Sequence, residues 1–372
     1  MKTEHPSHLL AKMHMGVLAC VLLVAGTAQA CTTFVLQSTN HVYFGRNLDW
    51  FSEDGLVIVN PRQVQKSAMV MSGSSPARWV SRYGSVTFNS GGWELPSGGM
   101  NEAGLVVECM WLNETQYPAP DARAALNSLQ WIQYQLDNCQ TVEEVIATDQ
   151  KVRVETDVLR VPQHYLVCDA AGNCAVIEYL NGKTVCHRGR QLFCRALANE
   201  PYAAAAADAK LHPTAGDLGK KPDVDAPFTR FERAAARAAA FQSGTPRENL
   251  DYAFGVLEEV SDNQTVWRLV YDVTARQIHY RTRSHPGVRT LDLKKMDFAC
   301  HLPVQFFELH PPAGAAEEPK FGELSEAKYA QYLRRYLTQD WTRQQLGDMT
   351  PFIEPALVNL RNERCAEPPA PR

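Results

Sequence analysis

Beyond its first thirty residues the 372-residue chain has no long apolar run, so no membrane-spanning helix is expected. It has no basic block either. Its 37 Lys and Arg stand against 41 Asp and Glu, a net charge of -4, and a nucleic-acid partner held through phosphates is not expected. No C-x-x-C pair is present to chelate zinc, and H-E-x-x-H, G-x-S-x-G, the P-loop and G-x-G-x-x-G are all missing. Zinc protease, nucleophile-elbow, nucleotide and dinucleotide chemistries are thereby set aside. No repeat and no linker divides the chain. What remains is ordinary globular composition, 45% hydrophobic and 21% charged, which excludes disordered, collagen-like and coiled-coil classes.

The N-terminus carries the first positive signal. Lys2 and Lys12 give a weakly basic start, Met15 to Ala25 is apolar, and Ala28-Gln29-Ala30 is a small-x-small step. This is the anatomy of a secretory signal peptide, too short in its apolar part to span a bilayer. Residues 1–30 are therefore read as a removable signal, with periplasmic or secreted localisation expected and no stable membrane insertion. Of the ten cysteines, Cys20 leaves with the signal and Cys31 becomes the first residue. Eight others follow, an even number for an oxidising compartment. Disulfides are expected within the Cys168–Cys194 cluster and between Cys300 and Cys365, though spacing does not fix the connectivity.

The remainder reads as strands, helices, strands, helices. Thr32 to Gln37, Val57 to Asn60, Ala68 to Met71 and Leu105 to Leu112 have strand character, cut by turn residues. Leu126, Leu129, Ile132 and Leu136 share a helical face, and Thr141-Val-Glu-Glu predicts a capping box opening the next helix. Tyr165 to Cys168 and Cys174 to Tyr179 flank a hairpin-type turn at Asp169–Asn173, and Thr184 to Arg188 and Phe193 to Ala198 read as further strands. Helices are expected over Phe228 to Phe241, Pro246 to Val260 and Ser325 to Leu337, with a strand pair at Val266 to Val273 and Gln277 to Thr282. This order points to a layered α+β domain with helices covering two packed sheets, spanning residues 31–361. Residues 362–372 are expected to be a flexible tail.

A cysteine at position one carries two catalytic groups on one residue. Its thiol is a nucleophile and its free α-amine can take the thiol proton, both with pKa values near neutrality. Gly45-Arg46-Asn47-Leu48-Asp49-Trp50 supplies a cation to favour thiolate and a carboxylate to orient the amine. A hairpin turning at Ser38 to His41 would return Arg46 and Asp49 to the start of the first strand. Two other uses of these residues compete. Cys31 could be the lipid-bearing cysteine of an exported lipoprotein or binding protein, although Ala28 stands where that processing wants a larger residue. Arg46 and Asp49 could be an ordinary surface salt bridge.

Cys31-Thr-Thr-Phe, Gly45-Arg-Asn-Leu-Asp-Trp50, Gly99-Met-Asn-Glu-Ala-Gly-Leu105, Ala198-Asn-Glu-Pro201 and Phe228-Thr-Arg-Phe231 occur in one order after a processed N-terminus. Together they resemble the choloylglycine hydrolase family, the bile salt hydrolases and penicillin V acylases. The resemblance implies a four-layer αββα N-terminal-nucleophile fold, hydrolysis of a linear amide through a thioester on Cys31, a small-molecule amide substrate, and neither cofactor nor metal. It implies catalytic roles for Cys31, Arg46, Asp49, Asn199 and Arg230, with Asn199 aiming its amide at the oxyanion and Arg230 holding the site electrostatically.

At one position the chain departs from the bile salt hydrolases. An ungapped match places Trp111 where those enzymes carry an asparagine, and a two-residue shift would recruit Asn113. Trp50, Trp111 and Asn113 are the candidate substrate-binding residues. The pattern is similar to the Gram-negative penicillin V acylase-like branch, whose members also cleave acyl-homoserine lactones. A penicillin V-like or acyl-homoserine lactone-like amide is the expected substrate, with a conjugated bile salt second. A homo-oligomer is left open, although the stretch between Asn199 and Arg230 is shorter than the segment bracing the bile salt hydrolase tetramer.

Overall fold

Two antiparallel sheets face each other and carry helices on their outer surfaces. The computed structural model describes residues 31–38, 40–70, 73–155, 161–212, 228–310 and 320–366. The signal segment, Met71 and residues 367–372 lie outside the described residues, as does the stretch 213–227 between Asn199 and Arg230. One sheet has six strands, in the spatial order Ala196–Leu197, Thr32–Gln37, Val42–Asp49, Thr265–Asp272, Gln277–Thr282, Arg289–Asp292. The other has nine. It runs from Lys183–Arg188 at one edge through Cys174–Leu180, Gln163–Cys168, Val106–Trp111, Gly98–Asn101, Ser85–Asn89, Leu56–Asn60 and Gln305–Glu308 to Gly322–Glu323.

Side-chain alternation along the strands sorts the chain into layers. Val106, Leu166 and Val176 point into the space between the sheets and join Phe34, Phe44 and Phe88 there. Their neighbours Val107, Val167 and Ile177 point the other way, onto Trp131, Ile132 and Leu136 of the helix Ser128–Asn138. Val57 and Val59 face inward, while Leu56 and Ile58 pack on Tyr329, Leu333 and Tyr336 of the helix Glu326–Leu337. Strands buried on both faces are near-continuously apolar, as Leu56–Asn60 is. The helices Thr229–Ala240 and Pro246–Glu259 cover the six-stranded sheet through Phe231, Ala234 and Leu257. The result is helix, sheet, sheet, helix.

Local chemistry explains most boundaries. Thr245 and Glu248 close a full capping box ahead of Pro246, and Ser325 caps the next long helix by accepting from the Lys328 amide. The predicted box at Thr141 is only half made: Thr141 accepts from Glu144 N, but the Glu144 carboxylate takes Gln140 N instead. Asp169 closes the hairpin through its Oδ1, which accepts from the Ala171 and Asn173 amides. Two strands differ from expectation. The one read over Ala68–Met71 lies at Val64–Ser67. That over Phe193–Ala198 shrinks to Ala196–Leu197, because the Tyr202 hydroxyl binds both the Cys194 amide (3.0 Å) and carbonyl (2.9 Å) in place of a neighbouring strand.

Near the C-terminus, helices at Asp340–Leu346 and Ile353–Asn362 are additions that the sequence reading had not marked. Arg364–Cys365 then pairs with Val64–Ser67, at the start of the expected tail, and Cys365 lies against Cys300, their Cα atoms 5.5 Å apart. Cys168 and Cys174 face each other across the hairpin with their sulfurs 3.1 Å apart and unbonded. No helix among the described residues is long and apolar enough to cross a membrane.

The first hairpin sets the register of the site. Thr33 pairs with Arg46 and Phe34 with Gly45, and the tip of the Phe34 ring sits against Gly45. A Cβ on Gly45 would sit 2.3 Å from that ring. Gly45→Ala is therefore expected to cost about 1–3 kcal/mol through overpacking. Urea denaturation of the variant measures it, and an unchanged midpoint would contradict this packing.

Candidate active site

Cys31 stands immediately before the first strand, 4% exposed, at the inner end of an apolar cavity. The hairpin turns where Ser38 N bonds His41 O, and the return strand brings Arg46 and Asp49 beside the cysteine. Arg46 Nη2 is 3.9 Å from Cys31 Sγ, and Sγ is 4.0 Å from the Asp49 carbonyl. Burial raises the Cys31 thiol pKa above its ordinary value, the Arg46 charge pulls it down, and the Asp49 charge pushes it up.

Arg46 is itself fully buried. Its Nη2 donates to the Cys109 carbonyl at 2.8 Å and its Nε pairs with Glu108, whose other oxygen accepts from the Tyr271 hydroxyl. Burial opposes the Arg46 charge, but Glu108 together with Cys31, Cys109 and Tyr271 outweighs it, and the net pKa shift is upward. Burial pushes Glu108 up to about 7 against the opposing pull of Arg46 and Tyr271. Sequence reasoning missed Glu108. The available signal was a lone carboxylate inside the apolar run Val106-Val-Glu-Cys-Met110, since a buried charge needs a partner. Gly98 lies directly opposite it, and a Cβ there would sit 2.1 Å from the Glu108 carboxylate, so only glycine leaves it room.

Asp49 is buried on the adjacent strand. Its Oδ1 accepts from the Thr265 hydroxyl, and its buried Oδ2 has no hydrogen-bond partner among the described residues. Burial and then Asp262 push its pKa up to about 7, opposed by Thr265, Arg230 and Arg46.

Asn199 follows the two-residue edge strand. Its Nδ2 donates to the Trp111 carbonyl at 2.8 Å, and Arg230 Nη2 lies 3.5 Å from its Oδ1. That pair of contacts fixes which way the amide points. Arg230, in the first turn of its helix, also acts electrostatically on Cys31 and Asp49.

The cavity wall is apolar. Trp50 and Trp111 line it with Leu95, Leu129 and Val161, and Leu337, Leu346, Met349 and Phe352 come from the C-terminal helices and the turn before the last of them. Trp50 donates its indole N–H to the Tyr336 hydroxyl (3.2 Å) and meets Trp341 edge-on, ring centroids 5.5 Å apart. Asn113 does not reach the cavity. It sits in an exposed turn past the strand end, where its Oδ1 accepts from the Trp111 indole at 2.8 Å. Of the eight candidate residues, seven thus converge on one place and Asn113 is left outside.

A separate groove lies between Gln65–Val70 and the last helix, and none of the candidate residues lines it. Among the described residues, one trio of metal-ligand type comes together, Asp208, His212 and Glu232, and none of the three lines the cavity.

The arrangement joins a buried thiol, a fixed cation, a carboxylate and an amide donor at the end of an apolar slot, which suits acyl chemistry. Comparison with known proteins agrees. The model of the linear amide C–N hydrolases, choloylglycine hydrolase family, matches residues 31–205. A penicillin V acylase from Agrobacterium tumefaciens superposes with TM-score 0.65 at 30% identity, covering 74% of this chain and 90% of that one. Penicillin V acylase from Pectobacterium atrosepticum is 26% identical over 332 residues, 77% of this chain and 88% of its own. A conjugated bile acid hydrolase from Clostridium perfringens shares the fold at 17% identity, TM-score 0.59, over 79% of this chain and 97% of its own.

The sandwich is that of the N-terminal-nucleophile hydrolases, and the class is that of amidohydrolases acting on linear C–N amides. The chain belongs to the choloylglycine hydrolase family.

Because Arg46 is the cation nearest Cys31 Sγ, Arg46→Leu removes the main effect lowering the thiol pKa. The pH midpoint for alkylation of Cys31 is expected to move upward in the folded variant. A rate-against-pH series with iodoacetamide reads this directly, and an unmoved midpoint would deny Arg46 that influence.

Proposed function

We propose that the protein is an exported amidase in which Cys31, freed as the first residue by removal of residues 1–30, hydrolyses an acyl amide through a thioester. The observation that carries this reading is the unpartnered, buried Oδ2 of Asp49 beside Cys31, the acceptor that a free α-amine at Cys31 would need. In the proposed sequence the α-amine takes the thiol proton and the thiolate attacks the amide carbonyl. One Asn199 N–H is held by the Trp111 carbonyl, and the other donates to the tetrahedral oxyanion, a contribution worth about 10²–10³ in rate. Collapse expels the amine, which leaves with the proton borne by the α-ammonium. Water, deprotonated by the same amine, then attacks the thioester and releases the acid. Arg46 favours the thiolate, and Arg230 fixes the Asn199 amide.

The substrate class proposed is an amide with an aromatic or fatty acyl group, penicillin V-like or acyl-homoserine lactone-like. The names of the relatives and the slot between Trp50 and Trp111 support this choice. A conjugated bile salt is the second reading, and a broad steroid fits poorly between two indoles. Periplasmic or secreted localisation and the Cys300–Cys365 disulfide belong to the same proposal, since such bonds persist where thiols are oxidised. Mass spectrometry of the mature N-terminus separates the amidase, with a free Cys31, from a lipoprotein anchored through it.

Two outcomes are expected. A chain that keeps Met before Cys31 should show no turnover until trimmed, and full activity from a demonstrably blocked N-terminus would sink the mechanism. Trp111→Ala should lower kcat/KM for phenoxyacetyl amides relative to bulkier acyl groups, since apolar contact is worth roughly 25 cal/mol per Å² buried. The ratio of kcat/KM for two acyl groups checks it, and an unchanged ratio would place Trp111 outside recognition.

A further inference from the structure

Beneath the site lies a buried His–Glu pair that the mechanism above does not use. His164 and Glu178 are wholly buried on adjacent strands of the nine-stranded sheet. His164 Nε2 is 2.7 Å from the Ala198 carbonyl, and its Nδ1 is 3.1 Å from Glu178 Oε1. The same Oε1 accepts the backbone N–H of Tyr202 at 2.9 Å, and His187 Nε2 lies 3.1 Å from Oε2. The pair therefore grips the backbone at both ends of Ala198-Asn199-Glu200-Pro201-Tyr202.

We propose that His164 and Glu178 are positioning residues for Asn199, holding the Ala198–Tyr202 segment so that the Asn199 amide faces the reacting carbonyl. This rests on the oxyanion role proposed for Asn199.

Three observations carry it. The edge strand Ala196–Leu197 is only two residues long and pairs with the first strand through Thr33 and Phe34, so the sheet stops holding the chain two residues before Asn199. His164 belongs to one sheet and the Ala198 edge to the other, so the contact fixes the oxyanion donor against the layer that also carries Trp111. Hydrogen-bond geometry then fixes the direction of the grip. A carbonyl only accepts, so Nε2 donates to Ala198. Burial raises the Glu178 pKa, but its bonds from His164 and His187 bring it down to about 2, and as a carboxylate its Oε1 accepts the Tyr202 N–H. Bonds to a carboxylate are directional and short, which suits a part that fixes a backbone segment.

A double-mutant cycle on the trimmed enzyme tests the proposal with phenoxyacetyl amide as substrate. His164→Gln is expected to lower kcat by roughly 10- to 100-fold, part of the value of one oxyanion donor, with KM nearly constant. Alkylation of Cys31 by iodoacetamide should keep its rate, because the nucleophile is untouched. In an Asn199→Ala background the same change should add less than about twofold, since the two then act through one group. Losses that multiply, or an undiminished kcat in His164→Gln, would overturn the role. If His164→Gln does not fold, Glu178→Gln enters the same cycle with the same expectations. Wild-type turnover distinguishes the levels of failure: none at all defeats the amidase reading and this inference with it, whereas turnover with multiplying losses defeats the inference alone.

Discussion

The ion pair between Arg46 and Glu108 is the constraint around which the site is arranged. Arg46 comes from the six-stranded sheet and Glu108 from the nine-stranded one, so the pair crosses the dry space between the layers. Two charges without water are expensive unless their remaining hydrogen-bonding capacity is met. The Cys109 carbonyl and the Tyr271 hydroxyl meet part of that capacity, Arg46 Nη1 being left without a hydrogen-bond partner among the described residues, and Gly98 leaves the carboxylate its space. The position of the guanidinium near Cys31 Sγ follows from demands made beneath it. The thiol meets a charge whose location it did not determine.

The second organising feature is that the apolar slot has walls of separate origin. Leu95, Leu129 and Trp111 come from the sheet layer and its flanking segments, within the part matched by the family model. Leu337, Leu346, Met349 and Phe352 come from beyond residue 205, on helices and turns that pack over Leu56 and Ile58. The C-terminal wall is tied to the first, because the Trp50 indole N–H donates to the Tyr336 hydroxyl.

Legibility in the sequence followed the range of the interactions. The strands Thr32–Gln37 and Gln277–Thr282 and the helix after Thr245 were readable because alternation, turn residues and capping are local. The return of Arg46 and Asp49 to Cys31 was readable because one short turn determines it. The edge strand near Phe193 was not, since its shortening depends on the Tyr202 hydroxyl folding back on Cys194. The Arg46–Glu108 pair and the grip of His164 and Glu178 on Ala198 and Tyr202 escaped for the same reason: the partners come from other strands and loops, and nothing in the local run names them. The choice between Trp111 and Asn113 turned on a strand end. The ladder stops at Trp111, which leaves Trp111 on the cavity wall and Asn113 in an exposed turn.

The cluster of Trp50, Phe51, Tyr336 and Trp341 has an optical consequence. The two indoles meet edge to ring at 5.5 Å, one bonded to a tyrosine hydroxyl, and Trp50 and Trp111 both border the slot. An acyl group bound as proposed would meet two of the chain's seven tryptophans at once. The emission colour and intensity of the protein would then report occupancy, requiring no dye and no chemical turnover.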